Sequence, residues 1–203
     1  MSVIFKRTLY LLFFVCASLI FDTAFGQRAI QNWDDRVMIN LADNRTPSQT
    51  GLMLFLSKTN NYVDIGIPAG LLAGGVLGNN REMRENALYI ASSTAVSYGL
   101  TELIKHLVKR RRPFVQNLKI VPVYKAMGYS FPSGHTSSSF STATALSIAY
   151  PKWYVIAPAV LWAGSVSYSR MYLGVHYPTD VAGGTLLGAG TAVSLSFLKG
   201  RQQ

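Results

Sequence analysis

The sequence predicts an all-α protein, an integral-membrane helical bundle of about five spanning helices that follows an N-terminal signal peptide. Only 14% of the 203 residues are charged, against about 25% in an ordinary soluble domain. Uncharged apolar windows alternate with short charged clusters along the chain. The interiors of these windows are rich in glycine and alanine, which allow close helix packing in a membrane but lower helix propensity in water.

Residues 1–26 have the pattern of a signal peptide. Lys6 and Arg7 precede an apolar run, and small residues stand at positions 24 and 26, before Gln27;. The run is short for a spanning helix, which needs about 20 apolar residues. An uncleaved membrane anchor is the alternative interpretation. Under either one, the chain after residue 26 begins outside the cytoplasm.

Residues 27–60 form a polar segment that precedes the apolar part of the chain. Acidic and basic side chains alternate here with Val37, Met38 and Leu41. The pattern fits a helix lying in the membrane interface, and it fits an ordinary amphipathic surface helix equally well. We therefore predict three parts: the signal peptide, this polar interfacial segment, and a membrane-embedded domain over 61–199.

Five charge-free windows in the second part of the chain predict the spanning helices. One of them is partly loop, and the others have 16 to 18 residues, which is thin for a bilayer span unless flanking residues contribute. In the last window, Gly184 and Gly188 are four residues apart and would let a neighbouring helix approach closely. The windows are 65–80, 86–101, 126–151, 153–169 and 181–198.

The distribution of charge predicts a topology. Five spans that begin outside place the loops 108–134 and 170–180 outside, at one membrane face. The inside segments carry Lys or Arg, as the positive-inside rule requires. The cluster Lys-Arg-Arg-Arg at 109–112 lies on the wrong side for that rule. It therefore indicates another role, such as binding an anionic ligand.

Three short motifs border these two outside loops and carry the chemistry of the chain. By the predicted topology they meet at one face of the membrane. They are Lys105-x6-Arg112-Pro113, Phe131-Pro132-Ser133-Gly134-His135-Thr136 and Ser169-Arg170-x5-His176-x3-Asp180.

The first group of motif residues is suited to binding phosphate oxygens. Lys105, Arg112 and Arg170 supply three cations, which recognise phosphate by charge and, for arginine, by paired hydrogen bonds. Ser133 and the Gly134 amide lie just before a predicted helix, and the N-terminus of a helix is a natural anion site.

The second group can move protons and attack phosphorus. Asp180 follows His176 by four residues across a predicted helix start. Its carboxylate can hold one imidazole nitrogen and leave the other free as a nucleophile. His135 has no carboxylate close in sequence, so it is the better candidate for protonating a leaving oxygen.

The three motifs resemble, position for position, the signature of the type-2 phosphatidic acid phosphatase superfamily, which includes bacterial acid phosphatases and vanadium haloperoxidases. The resemblance covers Lys105–Asp180, and the helix layout is similar to that of the small bacterial membrane-bound lipid phosphatases. It implies that His176 forms a phosphohistidine, that Asp180 orients it and that His135 protonates the leaving group. It further implies that Lys105, Arg112, Ser133, Gly134 and Arg170 hold the phosphoryl oxygens, and that no metal or other cofactor is used.

The resemblance implies a phosphatase in the bacterial inner membrane that faces the periplasm. Its partners would be the bilayer and a lipid phosphate substrate, with lipid A phosphate and undecaprenyl pyrophosphate ahead of phosphatidylglycerophosphate. A secreted non-specific acid phosphatase and a non-catalytic membrane protein that binds anionic lipids are the alternatives. Nucleic acid is not expected as a partner, because the basic cluster is short and flanked by apolar windows. The sequence does not predict an oligomeric state.

Two arginines of the basic cluster lie outside the motifs. Arg110 and Arg111 could contact a polyanionic headgroup or simply anchor at membrane phosphates. Glu102, three residues before Lys105, could tune the site, but a local ion pair along the helix is the simpler expectation. We expect His106 to be structural.

Overall fold

The computed structural model describes residues 24–200, with side chains from residue 28 onward. Most of the predicted signal peptide lies outside the described residues. The described chain is helical, as predicted, with seven α-helices and a short 3₁₀ turn at 196–198. The helices are α1 (Ala24–Asp43), α2 (Pro47–Leu77), α3 (Arg81–Val108), α4 (Pro113–Gln116), α5 (Gly134–Ala149), α6 (Trp153–Tyr172) and α7 (Pro178–Ser194).

The helix boundaries follow from local capping. Thr46 precedes α2 and accepts a hydrogen bond from the Gln49 amide, and Asn80 does the same for Met83 at the start of α3;. At the end of α3, Lys109 takes a left-handed conformation with φ of 53°, which turns the chain into the long segment 109–133.

Helix α5 is the centre of the bundle and packs against α3, α6 and α7. The closest contact is with α7, where a Cβ on Gly184 would lie 2.7 Å from the Ser133 carbonyl oxygen and a Cβ on Gly188 would lie 2.1 Å from that of Ser137. Both glycines are therefore required by backbone-to-backbone packing, which confirms the prediction of a close helix contact at these positions.

The polar N-terminal segment contains a helix, α1, that packs one face against the bundle. Met38 is fully buried in a cluster with Ile120 and Tyr177, and Asp34 is also fully buried. Trp33, on another face of α1, is about half exposed. α1 is therefore amphipathic. Helix α2 runs through residue 60, where the sequence predicts the start of the membrane domain.

The sequence predicts about five spanning helices. Within residues 24–200, no helix of the structure is both long enough and apolar enough to cross a membrane.

Candidate active site

The three motifs meet at one end of the bundle. Lys105 lies near the end of α3, Arg170 near the end of α6, and Gly134 at the start of α5, while Arg112 and His176 lie in connecting segments. All five of these residues, together with His135, line one cavity of about 960 Å³. Residues that are up to 71 positions apart in sequence thus share one space.

Two of the eight predicted site residues lie behind the cavity wall. Ser133 is fully buried and its hydroxyl accepts a hydrogen bond from Thr136 at 3.0 Å. Asp180 is also fully buried and contacts the cavity only through His176. The Ser133 backbone is nevertheless next to the Gly134 amide at the open first turn of α5, where anions bind favourably.

His176 and Asp180 form a pair in which the two imidazole nitrogens have different neighbours. Nδ1 lies 3.5 Å from an Asp180 carboxylate oxygen, and Nε2 lies 3.3 Å from Nη1 of Arg112. Arginine can only donate, so Nε2 is the acceptor, and the proton of the neutral ring belongs on Nδ1, facing Asp180. The lone pair of Nε2 then points towards the Arg112 guanidinium.

The Asp180 carboxylate is held on several sides. It accepts hydrogen bonds from the Tyr177 amide at 2.8 Å, from the Ser130 hydroxyl, and from Arg110 at 2.6 Å. A carboxylate with this many donors is fixed in position, and it can orient the imidazole beside it.

Burial keeps the His176 imidazole neutral. It lowers the pKa of His176 to about 4, Arg112 and Arg170 act in the same direction, and Asp180 partly opposes them;. A neutral imidazole retains the lone pair that a nucleophile needs, and His176 is in this form at neutral pH;.

This neutrality can be measured. We expect His176 to stay neutral from pH 8 down to about pH 5 and to gain its proton only near pH 4, because burial disfavours the charged form;. The check is a pH titration of the histidine ring nitrogens by NMR in ¹⁵N-histidine-labelled protein, with the His176 signals assigned from its alanine variant. A midpoint near 6.5, the value for a solvated imidazole, would contradict this expectation.

The three cations are held at the cavity by polar groups. Arg112 donates to the carbonyl oxygens of Met127 at 2.7 Å and Val175 at 2.8 Å. Arg170 donates to the hydroxyls of Ser57 and Tyr124. Because these partners are neutral, the positive charge of both guanidinium groups is left for an anionic ligand.

Lys105 has an acidic neighbour, as the sequence predicts. Its Nζ lies 2.7 Å from Glu102 Oε1, which confirms the local ion pair. Glu102 also lines the cavity. With Lys105, Arg112 and Arg170 positive and Glu102 negative, these four side chains sum to +2, which suits a phosphate dianion.

Beyond the cations, the cavity continues along an apolar cleft between α2 and α3. The lining side chains of this cleft carry no charge except at Asp64, which is buried and accepts hydrogen bonds from Asn60 and Thr142. An apolar cleft that leads to a cationic pocket can hold a hydrocarbon chain attached to a phosphate. Its apolar lining includes Ile65, Pro68, Leu72, Leu88, Ala91 and Ala95.

Several residues around the site were not predicted. Ser57 and Tyr124 hold Arg170, and Ser130 holds Asp180. These contacts cross between separate elements, so sequence spacing carries no signal for them. For Ser130 there is a local signal, because it directly precedes the second motif.

The position of Arg110 fits neither of the two roles considered from the sequence, contact with a headgroup and anchoring at membrane phosphates. Its guanidinium points inward, is 18% exposed, and pairs with the carboxylates of Asp34 and Asp180. Arg111 is exposed, and His106 lies outside the cavity lining, with its ring against the Glu102 carbonyl oxygen.

Comparison with known proteins gives a consistent result. The sequence profile of the PAP2 superfamily matches residues 86–202. An undecaprenyl-diphosphatase of Sulfolobus acidocaldarius is 36% identical over 151 residues, which cover 72% of this chain and 68% of that protein. A lipid A 4′-phosphatase of Bacteroides thetaiotaomicron is 38% identical over 76 residues, about a third of either chain (37% and 34%).

The fold also has a solved counterpart. The crystal structure of a transmembrane PAP2 type phosphatidylglycerolphosphate phosphatase from Bacillus subtilis superposes with a TM-score of 0.71. It covers 94% of each chain at 22% sequence identity. At this identity the similarity concerns the fold alone.

Proposed function

This chain belongs to the PAP2 superfamily and is a phosphatase, and we propose that it removes phosphate from a lipid-linked phosphomonoester or pyrophosphate without a metal ion. The observation that carries the proposal is the joining of a cationic pocket to an apolar cleft in one cavity. The pocket suits the phosphate, and the cleft suits the hydrocarbon chain of the same substrate.

The proposed reaction has two steps through a phosphohistidine. Nε2 of His176 attacks phosphorus, the N–P bond forms, and the bond to the leaving oxygen breaks while His135 gives that oxygen a proton. Water then attacks phosphorus and passes a proton to His135. The N–P bond breaks, its electron pair returns to Nε2, and inorganic phosphate leaves.

The role proposed for Asp180 is to orient and stabilise His176 through Nδ1, where positive charge develops as Nε2 attacks. His135 lines the same cavity as His176, which places the proposed general acid and the proposed nucleophile around one space. Both histidines and the three cations line one cavity, so the proposed reaction needs no movement of a helix to bring them together.

Lys105, Arg112, Arg170 and the Ser133–Gly134 turn are proposed to hold the phosphoryl oxygens. Hydrogen bonds to charged groups are worth about 1.5–3 kcal/mol each. These cations can neutralise the charge that a metal ion neutralises in other phosphatases, which supports a metal-independent reaction.

We propose that the bundle is embedded in the bacterial inner membrane with its site at the periplasmic face. Large apolar side chains are exposed along α2, α3 and α6, among them Ile65, Leu77, Leu88, Leu103 and Leu161. A protein surrounded by water rarely exposes so many. In this arrangement residues 1–26 direct export, 27–60 border the membrane, and 61–199 form the embedded phosphatase domain.

Among the substrates, we place undecaprenyl pyrophosphate ahead of lipid A phosphate. The match to the undecaprenyl-diphosphatase covers most of this chain, whereas the match to the lipid A 4′-phosphatase covers about a third (37%). Phosphatidylglycerophosphate is the third candidate.

Phosphate release from purified protein tests the proposal. The protein in detergent is offered undecaprenyl pyrophosphate, lipid A, phosphatidylglycerophosphate and the soluble ester p-nitrophenyl phosphate, each with excess EDTA. We expect at least one lipid to be hydrolysed despite the chelator, with kcat/KM about 100-fold or more above the soluble ester, because only a lipid fills the apolar cleft. A mock purification from cells that lack the gene is the control.

Other outcomes of this assay select the alternatives. Equal turnover of p-nitrophenyl phosphate would indicate a non-specific acid phosphatase. Loss of activity with EDTA would contradict the metal-free site. Failure to release phosphate from any substrate would favour a non-catalytic lipid-binding protein.

A further inference from the structure

Helix α1 reaches the catalytic centre through one buried ion-pair chain. Asp34, on α1, lies 2.7 Å from Nη2 of Arg110, and Nη1 of Arg110 lies 2.6 Å from Asp180. Both carboxylates are fully buried. Arg110 therefore bridges the N-terminal helix and the carboxylate that faces His176.

The bridging arginine is fixed by further contacts. Arg110 also donates to Gln31 of α1 at 3.0 Å and to the hydroxyl of Thr179, and its guanidinium stacks 4.3 Å from the centre of the Tyr177 ring. Asp34 in turn accepts a hydrogen bond from the Thr179 amide in the first turn of α7 at 3.1 Å. A buried charge is costly unless it is paired and hydrogen-bonded, and both conditions are met here.

We infer that α1 is part of the catalytic machinery, with Asp34 and Arg110 as positioning residues that set the Asp180 carboxylate against Nδ1 of His176. The inference rests on the proposed function, since it concerns the same nucleophile. It assigns a role to a segment that lies outside all three motifs and before the superfamily match.

Charge balance explains why Asp34 matters to a residue that it does not touch. Arg110 divides its positive charge between two carboxylates. Without the charge on Asp34, Arg110 would interact with Asp180 alone, and the carboxylate would offer less negative potential to the Nδ1 proton of His176. Arg110 would also lose an anchor, so the position of Asp180 would be less well defined.

Loss of the charge on Asp34 should leave substrate binding almost unchanged. The phosphate-facing cations Lys105, Arg112 and Arg170 are held by Glu102, by backbone carbonyls and by hydroxyl groups. Asp34 makes none of those contacts among the described residues. A loss of positioning should therefore reduce kcat and leave KM almost unchanged, whereas a general loss of folding would lower the amount of active protein and its thermal stability.

The test is a double-mutant cycle with Asp34→Asn, Arg110→Gln and the double variant, assayed on the lipid that the wild-type protein hydrolyses. We expect Asp34→Asn to lower kcat about 10-fold, with KM and the inhibition constant for inorganic phosphate within about twofold of wild type. In the Arg110→Gln background, the same substitution should lower kcat by clearly less than 10-fold, because the Arg110 bridge to Asp180 is then absent and only the contact of Asp34 with Thr179 remains to be lost;. Asp43→Asn, an exposed acid on the same helix, should leave kcat unchanged.

Three results would overturn the inference. They are an unchanged kcat in Asp34→Asn, a 10-fold loss that is fully retained in the Arg110→Gln background, and an equal loss in Asp43→Asn. If Asp34→Asn does not fold, Arg110→Lys replaces it, because lysine keeps the charge but cannot bridge two carboxylates as arginine does. A lower kcat with unchanged inhibition by inorganic phosphate then supports the inference, and an unchanged kcat overturns it. If the wild-type protein hydrolyses no lipid phosphate, the proposed function itself fails and this inference with it.

Discussion

Replacing His176 with alanine should lower turnover of the lipid substrate by about 10⁵-fold or more, because the reaction loses its nucleophile. Asp180 and the three cations remain in place, so substrate should still bind. The measurement is phosphate release at saturating substrate, together with binding of inorganic phosphate, the product of the reaction. The expected result is loss of kcat with retained affinity for phosphate.

A matched histidine provides the control for this variant. His106 is on the same helix as Lys105 but lies outside the cavity lining. Its ring contacts the Glu102 carbonyl oxygen at 2.7 Å. We expect His106→Ala to keep kcat within about threefold of wild type, since surface contacts of this kind contribute little.

The covalent intermediate gives a second readout for His176. Rapid quenching of wild-type protein with a ³²P-labelled substrate should trap a phosphorylated enzyme that is stable in base and labile in acid, as a phosphoramidate is. The His176→Ala variant should trap none. Residual turnover above one hundredth of wild type, or equal labelling of both proteins, would contradict His176 as the nucleophile.

The second large effect is expected at Gly188, where alanine should destabilise the fold. An added Cβ would lie 2.1 Å from the Ser137 carbonyl oxygen and 2.9 Å from the Ser141 amide nitrogen. Both atoms belong to the backbone of α5, so α5 and α7 would have to move apart. We expect a loss of about 3 kcal/mol in the free energy of unfolding, which is roughly 10 °C in the unfolding temperature.

Gly190, two residues further along α7, is the matched control. No atom outside the local helix lies within 4 Å of a Cβ placed there. Gly190→Ala should therefore leave the unfolding temperature unchanged or raise it slightly, because alanine has the higher helix propensity. Thermal unfolding in detergent compares the two variants, and equal unfolding temperatures would show that the α5–α7 contact can relax.

The inward position of Arg110 bears on the basic cluster at 109–112. The topology predicted from the sequence puts these four cations on the outer face, against the positive-inside rule. In the structure, two of the four are committed to the site: Arg110 pairs with buried carboxylates and Arg112 lines the cavity. Two of the four cations therefore have structural partners that do not depend on the predicted topology.

The amino-acid sequence by itself determined the all-α class, the close contact at Gly184 and Gly188, and which residues of the three motifs are candidates for the site. These properties depend on spacing along one helix or across one turn. Gly184 and Gly188 share a face because they are four residues apart in a helix. His176 meets Asp180 for a similar reason, since both border the first turn of α7.

The tertiary structure alone decided which distant groups support that chemistry. Asp34 and Arg110 are 76 residues apart, and Ser57 and Arg170 are 113 apart. No periodicity relates such pairs, because their contact depends on how whole helices pack and on which side chains are then left buried together. The same packing placed a polar cavity and an apolar cleft end to end, and it brought α1 to the carboxylate behind His176.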